Sequence, residues 1–315
     1  MLRFIGRRAL HLFIVLLLVT LGTSLLLDMT PGDPALAIIG ETATPEQIAI
    51  VHKQLGLDRP FLARYASWVT KAARGDLGIS YRTKQPIWSA IHERLPVTLE
   101  LAVLTIFFSL LIAIPLGVAT AYKQNGLLDR AVAGVLSAFF SSPPFLTALV
   151  FVFFLAVTVH VFPVTGWVPL SQSVNDNLKH AFLPVASLVV LESAVFSRLL
   201  RSDMITTLQE DFVLAARAKG LPTWQILMRH ALRPSSFTLM TVAGLSLGRV
   251  LGGTVIVEQL FALPGIGLFI INAIYNKDLI AVQGAVLFIA TAYVLVNAVV
   301  EVSYAWLDPR VRVTV

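Results

Sequence analysis

The sequence predicts an all-α, polytopic membrane protein with six transmembrane helices and a small helical subdomain outside the membrane. The chain has 315 residues, of which 57% are hydrophobic and only 13% are charged, and its mean hydropathy is +0.80. Soluble domains carry about a quarter charged residues, and a soluble core of this length could not hide so much apolar surface. Lipid is therefore the main solvent of the predicted helices.

Composition also excludes several classes of protein. The net charge of +6 could suggest a nucleic-acid partner, but the basic residues are scattered between apolar runs rather than gathered on one face. We therefore expect no nucleic-acid binding. The chain has no cysteine, which excludes disulfides, thiolate metal sites and cysteine nucleophiles.

Six apolar runs are long enough to cross a bilayer. They are Leu12–Leu27, Val97–Tyr122, Ala131–Phe162, Ala181–Leu200, Ser235–Val257 and Leu279–Trp306. The first run exceeds the roughly 7–15 apolar residues of a signal peptide and no A-x-A cleavage site follows it, so we expect it to remain as an anchor. An even number of spans places both termini on the same side.

The lysine and arginine bias orients these spans, because positive charges in short flanking segments stay in the cytoplasm. One side collects Arg3, Arg7, Arg8, Lys123, Arg130, Arg198, Arg201, Arg217, Lys219, Arg229, Arg233, Arg310 and Arg312. The short loops of the other side carry only Lys179 and Lys277. Both termini are therefore expected in the cytoplasm.

The long segment between the first two spans is expected outside the membrane and folded. Thr44 and Gln47 form a capping-box pattern before an apolar stripe, and Gly56 is a stop signal. A second helix is expected from Pro60 to near Gly75. We divide the chain accordingly into the amino terminus with the first span (1–27), the outer helical segment (28–95) and a five-helix core (96–315).

No pattern for catalysis or cofactor binding is present. The chain lacks the GxxxxGK[ST] loop, so it is not expected to bind ATP in the usual P-loop manner. Its six histidines lack metal-binding spacing, and no paired carboxylates are found. A GxSxG nucleophile elbow is not expected either, since the matching letters at Gly244–Gly248 stand inside an apolar helical run and not between a strand and a helix. The sequence predicts a non-catalytic subunit without metal or cofactor.

The longest connection on the expected cytoplasmic side, about 202–234, is helical in pattern but polar. The three- and four-residue spacing of a helix recurs in the set Phe212, Ala215, Ala216 and Lys219. Gly220–Pro222 would end this helix, and a second short helix is expected from Thr223 to Leu232. Such a segment is either a surface hairpin or a helix that a partner protein receives in a groove.

Its residues resemble a known family. The stretch Ala215–Leu221, followed by His230–Leu232, is similar to the EAA loop of binding-protein-dependent ABC transporter permeases, in the form of the dipeptide/oligopeptide branch. Further stretches that resemble this branch are Pro31–Pro34, Leu55–Pro60, Arg74–Ser80, Glu258, Pro264–Gly267, Asn297, Tyr304 and Asp308–Arg310. One departure is Leu214, which stands where the consensus has glutamate.

This resemblance implies a type I ABC importer permease, of the first-permease type with a long first outer loop, in the bacterial plasma (inner) membrane. It implies a second homologous permease, two ATPase subunits that hold ATP and Mg²⁺, an extracytoplasmic substrate-binding protein, surrounding membrane lipid, a peptide substrate and alternating access. The residues expected to couple to the ATPase are Asp211, Leu214, Ala215, Ala216, Arg217, Lys219, Gly220, Leu221 and Pro222.

Arg249 lies inside the fifth span, where an unpaired charge is costly. It is expected either to line the translocation path or to form a structural ion pair with a carboxylate such as Glu192 or Glu258. A second feature of this span is a stripe of small residues, Gly244, Gly248 and Gly252, which favours close helix packing. In the third span, Pro143–Pro144 removes two backbone donors and is expected to kink or break the helix.

Other functions stay open at this point. Permeases of the same branch carry nickel, glutathione or other solutes, and the sequence does not separate them from peptide permeases. An ion-coupled secondary transporter is a more distant alternative, for which internal repeats and matched intramembrane carboxylates would be typical.

Overall fold

The computed structural model describes residues 2–29, 33–39 and 43–307. Within these residues all regular elements are helical, which confirms the all-α class. The helices are Leu2–Met29 (α1), Pro34–Ile39 (α2), Pro45–Leu55 (α3), Phe61–Ala72 (α4), Ile87–Tyr122 (α5), Leu127–Phe140 (α6), Pro144–Phe151 (α7), Val174–Thr207 (α8), Asp211–Ala218 (α9), Thr223–Gln225 (α10), Leu232–Leu260 (α11), Ile266–Tyr275 (α12) and Leu279–Leu307 (α13). Two motif segments, Pro31–Gly32 and Asp308–Arg310, lie outside the described residues.

Each predicted span coincides with a helix or a bent pair of helices. Within the described residues, four helices are long and apolar enough to cross a membrane: Ile87–Tyr122, Val174–Thr207, Thr223–Leu260 and Leu279–Val300. A fifth candidate is the pair Leu127–Phe140 and Pro144–Thr158, and the first predicted span is the shorter apolar stretch Leu12–Leu26 of α1. The molecule is a multi-pass membrane protein.

The third predicted span is not one continuous helix. Its two halves are bent by 104°, and the break falls at Ser141–Pro143. Pro143 precedes α7 and Pro144 opens it, because a proline lacks the N–H that a helix interior needs but is tolerated in the first turn. The predicted break is thus confirmed. A π-helical stretch, Val152–Thr158, completes the second half.

The fifth span is longer than predicted, and the expected separate helix from Thr223 to Leu232 is wrong. One continuous helix runs from Thr223 to Leu260. A π-helical stretch, Ile226–Ala231, joins α10 to α11 just before Pro234. The wider π-helical turn accommodates the backbone N–H that Pro234 lacks, so the helix continues where the sequence suggested a boundary.

The described chain divides into two compact units. The first takes in the residues up to Thr98 together with Pro264–Val294, and the second takes in Leu99–Leu263 together with the residues from Leu295 onward.

In the first unit, the helices of segment 28–95 have the caps that the sequence predicts. Thr44 Oγ1 accepts a hydrogen bond from the Gln47 backbone N–H at 3.4 Å, and the Thr44 N–H donates to Gln47 Oε1 at 3.0 Å. Gly56 ends α3 with φ +67°, a left-handed conformation that glycine adopts at low cost. Helix α4 follows directly after Pro60.

The core of the first unit joins the start of α5 to α12 and to the first half of α13. Its buried apolar side chains include Ile87, Ile91, Ile266, Ile270 and Ala285. Polar contacts attach α1 to this unit: Tyr65 donates to the Leu17 carbonyl at 3.0 Å, and Gln283 Nε2 donates to Ser24 Oγ at 2.7 Å.

In the second unit, α8 is the central helix. Its fully buried side chains Phe196, Leu200 and Met204 pack with Ala113 of α5 and Leu239 of α11. Such burial on most faces identifies α8 as the element around which the unit is built, while its neighbours present exposed apolar faces of the kind that suit lipid.

Candidate coupling and translocation sites

The segment that resembles the EAA loop forms a short helix with a defined end. Helix α9 ends at a left-handed turn in which Gly220 has φ +75°. The Gly220 N–H donates to the Arg217 carbonyl at 2.9 Å, and the Leu221 N–H donates to the Ala216 carbonyl at 3.3 Å. These bonds satisfy carbonyls that a helix end leaves open, and they fix the direction in which the chain continues to Pro222.

Most of the predicted coupling residues are exposed on this helix and its turn. Those are Asp211, Leu214, Ala215, Arg217, Lys219, Gly220 and Pro222, whereas Leu221 is half-buried. Ala216 differs, because it is buried together with Val213. A bulky residue at position 216 would therefore overpack the permease itself before it touched a partner.

Three large apolar side chains of this segment are exposed, and of these the sequence analysis named only Leu214 among the coupling residues. Phe212 is 50% exposed, Leu214 49% and Trp224 68%, and all three belong to the segment that surrounds the turn at Gly220. An exposed group of large apolar side chains on an otherwise polar loop is typical of a protein-binding surface. We give one name, the coupling patch, to three exposed side chains: Phe212 and Leu214, which lie on either side of the buried Val213, and Trp224, which follows the turn. Their apolar character is visible in the sequence but does not identify a binding surface, since apolar residues of a membrane protein are so often buried or in lipid.

Behind the turn, the second unit contains an open cavity of about 610 Å³. Its lining includes Tyr122 at the end of α5, Gln124 after it, and Gln209 after α8. The coupling segment contributes Arg217 and Leu221. Side chains of the turn therefore adjoin open space and not a packed core.

Arg249 forms an ion pair inside the second unit. Its Nη2 donates to Glu192 Oε1 at 3.0 Å, to Glu192 Oε2 at 2.9 Å and to Ser246 Oγ at 2.9 Å. Of the two carboxylates considered from the sequence, Glu192 is thus a partner of Arg249. Glu258 is fully buried and accepts a hydrogen bond from Thr254 Oγ1 at 3.0 Å.

The glycine stripe of α11 has three different environments. A Cβ added at Gly244 would lie 2.5 Å from Val300 Cγ2, so this glycine allows α13 to approach closely. Gly248 is buried, while Gly252 is exposed. Close packing inside the subunit is therefore the role of Gly244, and the Gly252 end of the stripe is open.

Two further polar clusters were missed by the sequence analysis. In the second unit, buried Asp129 of α6 accepts hydrogen bonds from Arg201 of α8. In the first unit, buried Asp278 accepts from Ser80 Oγ at 2.5 Å and, at the start of α13, from the Ala281 N–H at 3.2 Å. Asp278 stands directly before the last apolar run, which is an N-cap pattern that could have been recognised; the pairing of Asp129 had no local signal.

Asp278 also shapes the loop that carries Tyr81. Burial of the phenol, reinforced by the negative charge of Asp278 and opposed by Arg64, raises the pKa of Tyr81 to about 12. Nearby, the first unit has a cavity of about 240 Å³ that is lined in part by Arg82, Arg94 and Asn272. This part of the molecule combines basic and amide side chains at a surface expected outside the membrane.

These features define a class of protein: a multi-pass membrane subunit with an exposed short helix on the connection before its fifth span. The chain belongs to the family described as binding-protein-dependent transport system inner membrane component, whose model matches residues 113–313. The model of the amino-terminal part of such membrane components matches residues 1–102. This is the type I ABC permease fold, and the family confirms the resemblance.

Curated relatives match over nearly the whole chain. A peptide transport system permease protein of Brucella abortus is 36% identical over 298 residues, which cover 95% of each chain. A peptide ABC transporter permease protein of Sinorhizobium fredii is 34% identical, covering 98% of this chain and 99% of that relative. The dipeptide transport system permease protein DppB of Escherichia coli is 33% identical, covering 99% of each chain.

Proposed function

We propose that this chain is one permease half of an ABC importer for di- and oligopeptides. The observation that carries the proposal is the exposed coupling helix α9 with its apolar patch, in a chain that lacks a nucleotide-binding loop of its own. A helix presented in this way suits a partner that supplies the energy. The relatives named for peptide and dipeptide transport support the choice of substrate.

The family implies a complex, and we propose its composition. A second homologous permease would complete the translocation path, and two ATPase subunits would hold ATP and Mg²⁺ and dock on the coupling helices of the two permeases. An extracytoplasmic binding protein would deliver the peptide. The coupling residues would be those exposed on α9 and its turn, with Phe212, Leu214 and Trp224 as apolar anchors.

The proposed mechanism is alternating access. Closure of the ATPases around ATP would draw the two coupling helices together, and the helices attached to them would rotate and open the path outward. Hydrolysis would reset the path inward. The cavity behind the turn leaves space for the coupling segment to shift, and the rigid core of α8 would carry the movement into the membrane.

We further propose that both termini lie in the cytoplasm of a bacterium and that the outer helical segment, 28–95, lies outside the inner membrane. The charge bias of the short loops supports this orientation. The outer segment is exempt from that bias because long segments translocate largely regardless of charge.

Peptide uptake tests the proposal. A strain that lacks this gene and its homologues should regain uptake of a radiolabelled dipeptide when the complete transporter is restored, and lose it when the ATPase is inactivated. The same assay with nickel and with glutathione distinguishes peptide from the other solutes of the branch. Uptake of either alternative without uptake of peptide would contradict the substrate assignment, and uptake that is independent of the ATPase would contradict the importer class.

A further inference from the structure

We infer that Arg249 binds the carboxylate of the substrate partway through the membrane, and that the adjacent Gly252 and Gly253 leave room for the peptide backbone. This inference rests on the proposed function and adds to it the chemistry by which the path holds its cargo. Within the described residues, only some of the N–H groups of the Arg249 guanidinium donate hydrogen bonds.

One nitrogen of Arg249 makes all of its described hydrogen bonds. Nη2 donates to both oxygens of Glu192 and to Ser246 Oγ, at 2.9 to 3.0 Å. Among the described residues, none accepts from Nε or Nη1. A guanidinium has five N–H groups in one plane, so three of them remain to bind an acceptor that approaches from outside the pair.

The burial of the pair is asymmetric. The side chain of Glu192 is 7% exposed and that of Arg249 is 58% exposed. Glu192 therefore serves as a buried anchor that neutralises the arginine and fixes its orientation, while the guanidinium points out of the unit. The pair of Arg249 and Glu192 carries no net charge. A carboxylate that binds to the free N–H groups of Arg249 therefore gains charge-assisted hydrogen bonds but not the attraction of an unpaired positive charge, so the substrate can leave again.

The depth of Arg249 rules out lipid as its surroundings. It lies eight residues before the predicted outer end of the span at Val257, which is about 12 Å along a helix that rises 1.5 Å per residue. An exposed charge at such a depth faces water or another protein chain. This face of α11 is therefore not a lipid face.

Helix α11 has a second exposed face that differs in chemistry. Met240 is 63% exposed and precedes Arg249 by nine residues, about 2.5 turns, so it lies on the opposite side of the helix. The Arg249 side instead has two consecutive glycines one turn further on, and a Cβ added at Gly253 would have no atom within 4 Å. Bare backbone beside a guanidinium forms a slot of the kind that an extended peptide can enter.

A peptide supplies the matching group, since its free carboxyl terminus is a planar acceptor of two hydrogen bonds. The site therefore selects molecules that carry a carboxylate next to a slim backbone. Neutral solutes would gain only weaker hydrogen bonds from the free donors, because a charged acceptor roughly doubles the strength of such a bond.

The first test introduces single cysteines into the otherwise cysteine-free chain and measures how much a bound dipeptide slows their chemical modification. The sample is the purified complex of permease and ATPase, without binding protein. Gly253→Cys and, separately, Gly252→Cys should react with a small water-soluble methanethiosulfonate, and Met240→Cys, on the lipid side, should not. A dipeptide at millimolar concentration should slow the reaction severalfold, whereas the same dipeptide with an amidated carboxyl terminus should slow it far less. Unreactive cysteines at both glycine positions, or equal protection by the amide, would overturn the inference.

The second test separates substrate binding from a structural ion pair. Arg249→Gln should lower the rate of peptide uptake about 10- to 100-fold, the usual effect of losing a hydrogen bond to a charged group, and Arg249→Lys should retain part of it. The exchange Arg249→Glu with Glu192→Arg restores the pair but moves the cation to the buried side. It should recover complex yield without recovering uptake.

The outcomes keep this inference apart from the proposed function. If the exchange variant transports peptide normally, or if Arg249→Gln imports as fast as wild type, the carboxylate site is wrong and the importer stands. If the wild-type complex moves no peptide at all, the proposed function itself is wrong. Met240→Ala, at an exposed position on the opposite face of the same helix, is the matched control and should leave uptake within about twofold, since surface changes away from a bonded group are usually small.

Discussion

Arg201 Nε and Nη2 donate to the two carboxylate oxygens of Asp129 at 2.6 and 2.7 Å, although 72 positions separate the two residues in the chain. The Asn125 N–H donates to the same carboxylate at 2.8 Å. Asp129 thus fixes the turn before α6 and attaches it to the end of α8 that leads into the coupling helix. A parallel, two-bond contact of this kind sets orientation as well as distance.

We expect Asp129→Asn to destabilise the permease by about 1.5–3 kcal/mol, because one charge-assisted contact of Arg201 is weakened while the turn at Asn125 keeps its acceptor. The measurement is the thermal midpoint of the purified complex, together with uptake. Arg130→Gln is the matched control, since Arg130 is adjacent and exposed. Equal midpoints for Asp129→Asn and Arg130→Gln would show that the pair contributes nothing.

Gly244→Ala tests the close contact between α11 and α13. A Cβ at this position would lie 2.5 Å from Val300 Cγ2, so Val300 or the helix must shift, at a cost of about 1–3 kcal/mol. Gly134→Ala provides the control, because no atom lies within 4 Å of the added Cβ. Alanine there should be neutral or gain up to about 1 kcal/mol of helix stability. Stability of the double variant Gly244→Ala, Val300→Ala should return toward that of wild type; if it does not, the contact is not the cause.

Sequence rules that depend on neighbouring residues predicted the helix cap, the helix stop and the helix break of this fold correctly. The capping box at Thr44 and Gln47, the stop at Gly56 and the break at Pro143 each depend on residues within one or two turns, and each is present in the structure. The boundary expected after Leu232 is absent, because a π-helical stretch just before Pro234 keeps the helix continuous.

The candidate site was predictable only where a pattern was continuous in sequence. The coupling segment could be found from Ala215–Leu221, and Arg249 from its place inside an apolar run. The partners of buried charges could not be predicted, since Asp129 and Arg201 meet only after α6 and α8 have packed. Glu192 was one of two carboxylates within reach of Arg249, and only the packing of α8 against α11 brings it to 2.9 Å.

Tyr81 provides a prediction for alkaline pH. Its pKa in the folded protein is about 12, compared with 10.0 for an ordinary tyrosine, because the phenol is buried and faces the charge of Asp278. The stabilisation that depends on neutral Tyr81 is complete below about pH 10 and is lost as the pH rises toward 12. A difference titration of wild type and Tyr81→Phe by ultraviolet absorbance should place this phenol near pH 12. In Asp278→Asn the same phenol should titrate at lower pH, and a Tyr81 that titrates near pH 10 in wild type would contradict the burial.

Labelling of single cysteines tests the orientation of the chain. Lys71 and Lys219 are both exposed, so a cysteine at either position is accessible to a reagent that reaches its side of the membrane. With the termini in the cytoplasm, an impermeant maleimide added to intact cells should label Lys71→Cys and should label Lys219→Cys only after the cells are permeabilised. The reverse pattern would show that the topology is inverted.

The coupling patch should be needed for attachment of the ATPase and not for insertion of the permease. Phe212→Ala and Trp224→Ala each remove an exposed ring, and burial of such a ring in a partner groove contributes about 1.5–3 kcal/mol. We therefore expect each variant to insert at the wild-type level. When the ATPase concentration is limiting, the amount of ATPase that copurifies should fall about tenfold or more, and uptake should fall in proportion.

Gly220 supplies a second test of the same surface. Because Gly220 has φ +75° and no atom lies within 4 Å of an added Cβ, Gly220→Asn preserves the left-handed turn, whereas Gly220→Trp adds bulk on the exposed side. The asparagine variant should keep most of the copurification and uptake. The tryptophan variant should insert stably yet lose its ATPase, or hydrolyse ATP without moving peptide. Normal copurification and normal uptake with both Gly220→Trp and Phe212→Ala would show that the ATPase docks elsewhere.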